Sequence, residues 1–494
     1  MYGDFLTSSM QEAMSEIKKD AVTETTIPAR EVVLSLYKSD DKIYARGVSG
    51  LYNRWRWIMV WATQLFFYGV PWLQWSGRQA MLFDLDAKRF YIFGLIFHPQ
   101  DLIYLSFLLI VSALSLFLFT AIAGRLWCGY TCPQTVYTEI FMWMEQKIEG
   151  DRIARMRLDG SKWNLNKITR KSLKQFAWIT FGLWTGVTFV GYFTPIRELV
   201  PSIFEMQMSG WETFWVCFYG FATYGNAGYM REQICKYMCP YARFQSAMFD
   251  GDTMTVTYDT ARGEPRGSRS KKAGENANGL GSCIDCSICV QVCPTGIDIR
   301  NGLQHECIGC GACIDACDDV MDKMGYAKGL IKYTTQNGLD NRWNRQQMLR
   351  RLLRPRVLIY GVILATLTAG MVMSLYFKPE FRLDVLRDRA VMARYTNDGK
   401  IENVYNLKLE NDTESRRDFD LKITGLPDIT LHFSDDSTQD FKGLEPFEKR
   451  NVVVELQLPD GTVSAGSHKV YFEVTDLSSK EILKEKAVFI VPSN

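Results

Sequence analysis

The chain has 494 residues, with 57 Lys and Arg against 55 Asp and Glu, for a formal charge of +2. That length exceeds one ordinary core and implies about two to four domains. The near-neutral balance excludes a wholly basic nucleic-acid binder and an acidic disordered solubiliser. Thirteen cysteines are present, and twelve fall in tight clusters, which points to thiolate ligands in a reducing compartment rather than a disulfide scaffold.

Residues 1–53 are polar and lack the apolar h-region of a cleavable signal, so the first apolar helix is expected to act as its own insertion signal. Residues 54–250 hold four apolar blocks: Trp57 to Leu73, Leu102 to Ala123, Phe176 to Phe193 and Phe214 to Met230. A fifth, Val357 to Phe377, follows a connector from residue 331. A crossing helix needs about 20 residues. The second and fifth blocks contain no charged side chain, whereas Gln64 interrupts the first and Asn226 the fourth. Trp55, Trp57, Trp72, Trp75, Trp211 and Trp215 flank the blocks, where indole rings favour the headgroup level.

Basic residues set the expected orientation. Residues 1–56 carry eight Lys or Arg, 125–175 carry ten and 229–356 carry eighteen, against three in 76–101 and one in 195–210. The three basic segments are therefore read as cytoplasmic, and everything after Phe377 as lying on the far side. Membrane lipid is thus an expected partner, and nucleic acid is not.

Two matching motifs follow the second and fourth blocks: Cys128-Gly-Tyr-Thr-Cys132-Pro133 and Cys235-Lys-Tyr-Met-Cys239-Pro240. The i, i+4 spacing would put both sulfurs of a pair on one helix face. Each motif is preceded by a basic residue, Arg125 or Arg231. Parallel repeats of this kind place sites at their interface. Four converging soft thiolates suit Cu(I) or a further iron–sulfur cluster, and the spacing does not choose between them. Cys217, alone in the fourth block, reads as a packing residue. On the outer side, Glu205, Met206, Met208 and His98 offer donors that could catch copper, although methionines there also serve as membrane contacts.

Residues 251–282 read as a flexible linker, poor in apolar side chains and carrying Arg262, Arg266, Arg269, Lys271 and Lys272. The strongest signal comes next, in 283–330. Cys283-x2-Cys286-x2-Cys289-x3-Cys293-Pro294 is followed by Cys307-x2-Cys310-x2-Cys313-x3-Cys317. Two such runs are the spacing of a two-cluster ferredoxin, in which the fourth cysteine of each run ligates the other cluster. One 4Fe–4S cluster is therefore assigned to Cys283, Cys286, Cys289 and Cys317. The other takes Cys307, Cys310, Cys313 and Cys293. Zinc, which needs four thiolates per ion, is the weaker alternative. Asp318 stands where the second run lacks the proline of the first.

Residues 378–494 alternate apolar and polar side chains in short runs such as Asn403 to Leu409, Phe419 to Ile423, Val452 to Leu458 and Lys469 to Val474. Turn residues separate them, which fits an immunoglobulin-like β-sandwich without cysteine. The four histidines, His98, His305, His432 and His468, lie outside the middles of the apolar blocks, so a bis-histidine transmembrane haem is disfavoured. No dinucleotide fingerprint or Walker loop is present. The expected fold is thus a multidomain one: a bundle of about five transmembrane helices, an inserted dicluster ferredoxin domain and a terminal sandwich.

The tandem cysteine runs, the paired C-x3-C-P motifs and the terminal sandwich together resemble the cytochrome c oxidase accessory protein family (CcoG, also called FixG or RdxA). The paired motifs are shared with polyferredoxin-type quinol dehydrogenase subunits; the sandwich favours the accessory family. The resemblance implies a bacterial inner-membrane protein that reduces Cu(II) to Cu(I) during assembly of a cbb-type oxidase. Cys128, Cys132, Cys235 and Cys239 are then the copper-linked thiols. As partners it implies copper ions and the oxidase or its copper chaperones; the expected mechanism is an electron relay from a cytoplasmic donor through the clusters of 283–317 to copper. A homodimer is compatible with it. The rival readings are a quinol-linked electron-transfer subunit and a copper chaperone or assembly scaffold without turnover.

Overall fold

Apolar length and capping residues set the helices. The structure, a computed structural model, describes residues 42–271, 274, 279–388, 393–396, 398–413, 415–433 and 441–492. Most of the N-terminal segment, residues 1–41, and Lys272 of the expected linker lie outside the described residues. Helix α1 (Leu51–Gly69) leads into a three-stranded antiparallel meander, β1 (Met81–Asp84), β2 (Arg89–Ile92) and β3 (Leu95–Phe97). Helix α2 (Leu102–Ala123) ends at Gly124 and is followed by α3 (Leu126–Tyr130), α4 (Pro133–Glu149), α5 (Leu165–Val190) and α6 (Gly210–Thr223). Ser209 and Glu212 form a capping box that starts α6. Helices α5 and α6 meet backbone to backbone: a Cβ on Gly186 would stand 2.3 Å from the Val216 carbonyl oxygen. Small residues at such crossings let two apolar helices approach closely.

Among the described residues, two helices are long and apolar enough to cross a membrane: Pro99–Ala123, which includes α2, and α10 (Pro355–Tyr376). They lie side by side, and the Tyr104 hydroxyl sits 3.0 Å from the Ser374 hydroxyl. The other three apolar blocks are also helical but fall short of that measure. Arg54 and Arg56 stand early in α1, α5 opens with Lys167, Arg170, Lys171 and Lys174, and α6 has 14 residues before it widens into a π-helix over Tyr224–Met230.

The ferredoxin region is larger than its cysteine runs. Helices α8 (Ile288–Gln291) and α9 (Ala312–Met324) carry several of the cysteines. Strand β4 (Thr255–Tyr258) pairs antiparallel with β5 (Ile331–Thr334) across the region. The expectation of a flexible linker over 251–282 is therefore corrected in its described part. Val256 and Tyr258 are buried in the ferredoxin core, and Arg262 donates to the Lys328 carbonyl at 3.0 Å. The polar composition there reflects side chains that bond backbone carbonyls rather than water.

The C-terminal region is a two-sheet sandwich. One sheet has the order β9 (Thr430–Phe433), β10 (Lys449–Pro459), β7 (Lys400–Asn411) and β6 (Phe381–Arg387), and the other β8 (Phe419–Thr424), β11 (Gly466–Asp476) and β12 (Ile482–Val491). Tyr405, Leu407, Val454, Leu456, Phe472 and Phe489 fill the space between them. The Tyr405 hydroxyl donates to the Val488 carbonyl at 2.9 Å, tying the two sheets. The sandwich also seats on the meander. Asp101 bonds Arg382 at 2.5 Å and Lys378 at 2.9 Å, and the Tyr91 and Phe447 rings lie 6.3 Å apart.

Candidate metal centres

The two C-x3-C-P motifs share a local geometry that differs from a single helix face. In each, the first cysteine lies in a short helical segment, α3 for Cys128 and a π-helix over Ile234–Met238 for Cys235. The second cysteine, Cys132 or Cys239, is the extended N-cap residue of the next helix, α4 or α7 (Pro240–Met248). The prolines explain this. Pro133 and Pro240 occupy the first helical position, and a residue before proline is pushed out of the helical region. The i, i+4 argument therefore fails, because the helix breaks inside each pair.

Tertiary packing nevertheless joins the pairs. The Cys128 thiol lies 3.6 Å from Oε1 of Gln245, a buried residue on the helix that Cys239 caps. Burial pushes the Cys128 thiol up to about 11, with Cys132 and Cys239 adding to the push and Arg125 opposing it. Burial pushes Cys235 up to about 12, with contributions from Cys132, Cys128 and Cys239. All four thiols are half-buried. They share one electrostatic neighbourhood in which a cationic metal would stabilise the thiolates.

The eight ferredoxin cysteines line two cavities. Cys283, Cys286, Cys289 and Cys317 surround one, walled by Tyr258, Val320 and Leu330. Cys293, Cys307, Cys310 and Cys313 surround the other, which also touches Cys289 and is walled by Val256, Ile299 and Ile308. Backbone N–H groups are aimed at two of the sulfurs: that of Gly309 donates to Cys307 and that of Ala312 to Cys310. Among the described residues, the one trio of potential ligands whose donor atoms lie within 4.8 Å of one another is His98, Glu410 and Asp412. Four cysteines to a cavity match the ligand count of a 4Fe–4S cluster, one in each. When bound, such clusters accept and release single electrons.

The thiol pairs abut the second of these cavities. A Cβ on Gly129 would stand 2.9 Å from Cys310 Cα and 2.9 Å from the Ile308 carbonyl oxygen. The Tyr130 hydroxyl donates to the Cys310 carbonyl at 3.2 Å. Cys235 lines a cleft with Pro294, Thr295 and Ile308. Arg125, buried, donates to the carbonyls of His305 and Ala242, so it clamps the ferredoxin loop and α7 together. Its sequence counterpart Arg231 does something else, pairing with Glu145 at 2.9 Å. The motif repeat is therefore not carried through to its arginines.

The outer donors are not brought together. Met206 is 94% exposed, while Met208 packs near Leu199 and Val216. His98 instead meets Asp412 of the sandwich at 2.9 Å and Glu410 at 3.6 Å, among Arg89, Arg382 and Lys449. Cys217 is exposed rather than packed, because α6 turns that face outward. Gln245 and the close-approach role of Gly129 escaped sequence reasoning. A glycine between two ligand cysteines was the available signal for the second.

Comparison with known proteins accords with this arrangement. Residues 230–336 match the model of a 4Fe-4S dicluster domain, and residues 105–150 that of a 4Fe-4S binding domain. Residues 371–492 match the IG-like fold at the C-terminal of FixG. The chain is 36% identical over 502 aligned residues to the nitrogen fixation protein FixG of Rhizobium meliloti (strain 1021), covering 94% of this chain and 96% of that one. It is 39% identical over 402 residues to protein RdxA of Cereibacter sphaeroides, covering 79% and 84%, and 38% identical over 407 residues to protein RdxB of the same organism, covering 80% and 85%. With eight thiols around two cavities, four to each, and a sandwich of the matching kind, the chain belongs to the FixG/RdxA family and is an iron–sulfur electron-transfer protein.

Proposed function

We propose that this protein reduces Cu(II) to Cu(I) at Cys128, Cys132, Cys235 and Cys239, for delivery to a cbb-type haem–copper oxidase during its assembly. The carrying observation is proximity: four half-buried thiols share one neighbourhood, and Gly129 between two of them touches the backbone of Cys310. Each Cu(II) gains one electron, and soft thiolates favour the cuprous product. No proton transfer is needed at the metal. The five apolar helices are read as a bundle in a bacterial inner membrane. The charge asymmetry supports a cytoplasmic ferredoxin domain and an exported sandwich.

A second reading has a specific observation behind it. Matches to 4Fe-4S models cover both pairs, residues 105–150 taking in Cys128 and Cys132 and residues 230–336 taking in Cys235 and Cys239. In that reading the pairs hold a third cluster and copper is incidental.

The double variant Cys235→Ser/Cys239→Ser separates the two. Protein reduced with dithionite is mixed with Cu(II), and Cu(I) is trapped with a colorimetric chelator. A loss of at least about tenfold, with iron content unchanged at about eight atoms per chain, supports copper at the pairs. A fall from about twelve irons to about eight supports the third cluster. Undiminished Cu(I) formation would falsify the copper assignment.

A further inference from the structure

Two neighbouring cavities have no cysteine in their linings. The first, of about 440 Å³, lies between the start of α1, α4 and the ferredoxin loops. Its wall is polar, with Arg46, Asn53, Arg56, Glu139, Gln146 and Asp151. Its inner side is formed by Val292, Pro294 and Ala312, which adjoin Cys293 and Cys313. The second, of about 340 Å³, is an apolar groove between α1, α4 and α5, lined by Val60, Trp61, Leu65, Ile140, Phe181 and Trp184. The two share Trp57 and Trp143, whose rings lie edge to face at 6.2 Å. The groove opens sideways, since Trp61 is 61% and Leu65 66% exposed on a helix read as membrane-embedded.

We infer that this pair of cavities binds a membrane hydroquinone, with its ring in the polar cavity and its isoprenoid tail in the aromatic groove. A ligand with one polar redox-active end and one long apolar end is the chemistry that fits both compartments at once. Pockets of about 300–1,000 Å³ hold ligands of this size. A nicotinamide or flavin nucleotide would leave the groove empty, and an acyl chain alone would leave the polar cavity empty. Arginine and amide groups face the ring oxygens. Glu139, paired with Arg56 at 2.5 Å, and Asp151 supply carboxylates on the proton side. The hydroquinone loses two electrons and two protons and departs as the quinone. Two Cu(II) ions each take one electron to become Cu(I). The copper half of this balance rests on the function proposed above; the binding site does not.

The test uses the full chain in nanodiscs free of endogenous quinone. An azido-ubiquinone is photolysed and its attachment mapped by mass spectrometry. Labelling is expected in peptides spanning residues 44–57 and 139–146. Ubiquinol with its tail should compete about tenfold better than a tail-less analogue. Two cavity-filling variants, Met142→Trp in the polar cavity and Ile140→Trp in the groove, should each cut labelling about fivefold or more while the iron–sulfur absorption stays unchanged. Labelling elsewhere, labelling undiminished in either variant, protection by a nicotinamide nucleotide, or lipid alone in the groove would overturn the inference. Anaerobic ubiquinol without copper should also bleach the iron–sulfur absorption. Copper reduction by dithionite-treated protein is scored separately, so failure of the donor site and failure of the copper reading are told apart.

Discussion

Asp315, on the ferredoxin helix α9, accepts the backbone N–H of Asn53 at 2.8 Å and that of Tyr52 at 3.2 Å. Those are among the unpaired amides at the start of α1, whose own N-cap residue, Gly50, has no side chain to offer. The ferredoxin region thus caps the first apolar helix, two residues from Cys313 and two from Cys317. The carboxylate also lies favourably at the positive end of the helix dipole. Asp315→Ala should cost about 1 kcal/mol, as lost N-caps do. Hydrogen exchange over residues 51–54 should rise, with Asp315→Asn restoring much of the protection. Unaltered exchange in the alanine variant would remove the cap from the account of how the domain docks.

Gly129 holds α3 against the loop at Cys310. Any side chain there must displace backbone, because the atoms 2.9 Å from its Cβ are Cys310 Cα and the Ile308 carbonyl oxygen. Gly129→Val should therefore destabilise the contact by about 1–3 kcal/mol, the range for overpacking. The expected readout is slower Cu(I) formation with an intact iron–sulfur spectrum. If rate and spectrum both match the parent protein, the contact plays no part in electron delivery.

Within the sandwich, Asp476 is buried, which by itself would raise its pKa. The Ser478 N–H at 2.7 Å, the Ser479 hydroxyl at 2.8 Å and the Arg417 guanidinium at 2.7 Å outweigh burial and hold the carboxyl below its ordinary value. A depressed carboxylate contributes stability that is present above the unfolded-state pKa, about 3.9, and lost as pH falls through the folded-state value. Hydrogen exchange of β11 and β12, corrected for intrinsic rates, should show protection falling as the pH drops below about 4. Asp476→Asn should flatten that dependence. A variant with the same acid response as the parent would show that another group carries it.

The division of labour between sequence and tertiary structure follows from the range of each interaction. Thiol spacing is local chemistry, so the two ferredoxin runs and both proline-terminated pairs were legible residue by residue. Alternation in the strands was legible too, because period-two burial is written along each strand: Asn403 to Leu409 and Val452 to Leu458 fall inside β7 and β10. The helix break inside each C-x3-C-P pair was also present in the sequence, in Pro133 and Pro240, but spacing alone concealed it. What only the fold decided are contacts between distant segments. Composition made 251–282 look like a tether, yet β4 pairs with β5 about 75 residues on, and pairing partners are not encoded in local polarity. Arg125 and Arg231 look equivalent in sequence, but one clamps the ferredoxin loop and the other joins a buried ion pair, because their neighbours come from different helices. His98 was expected beside methionines and is instead buried against the sandwich, because its partners Asp412 and Glu410 lie more than 300 residues on and local sequence does not encode that contact.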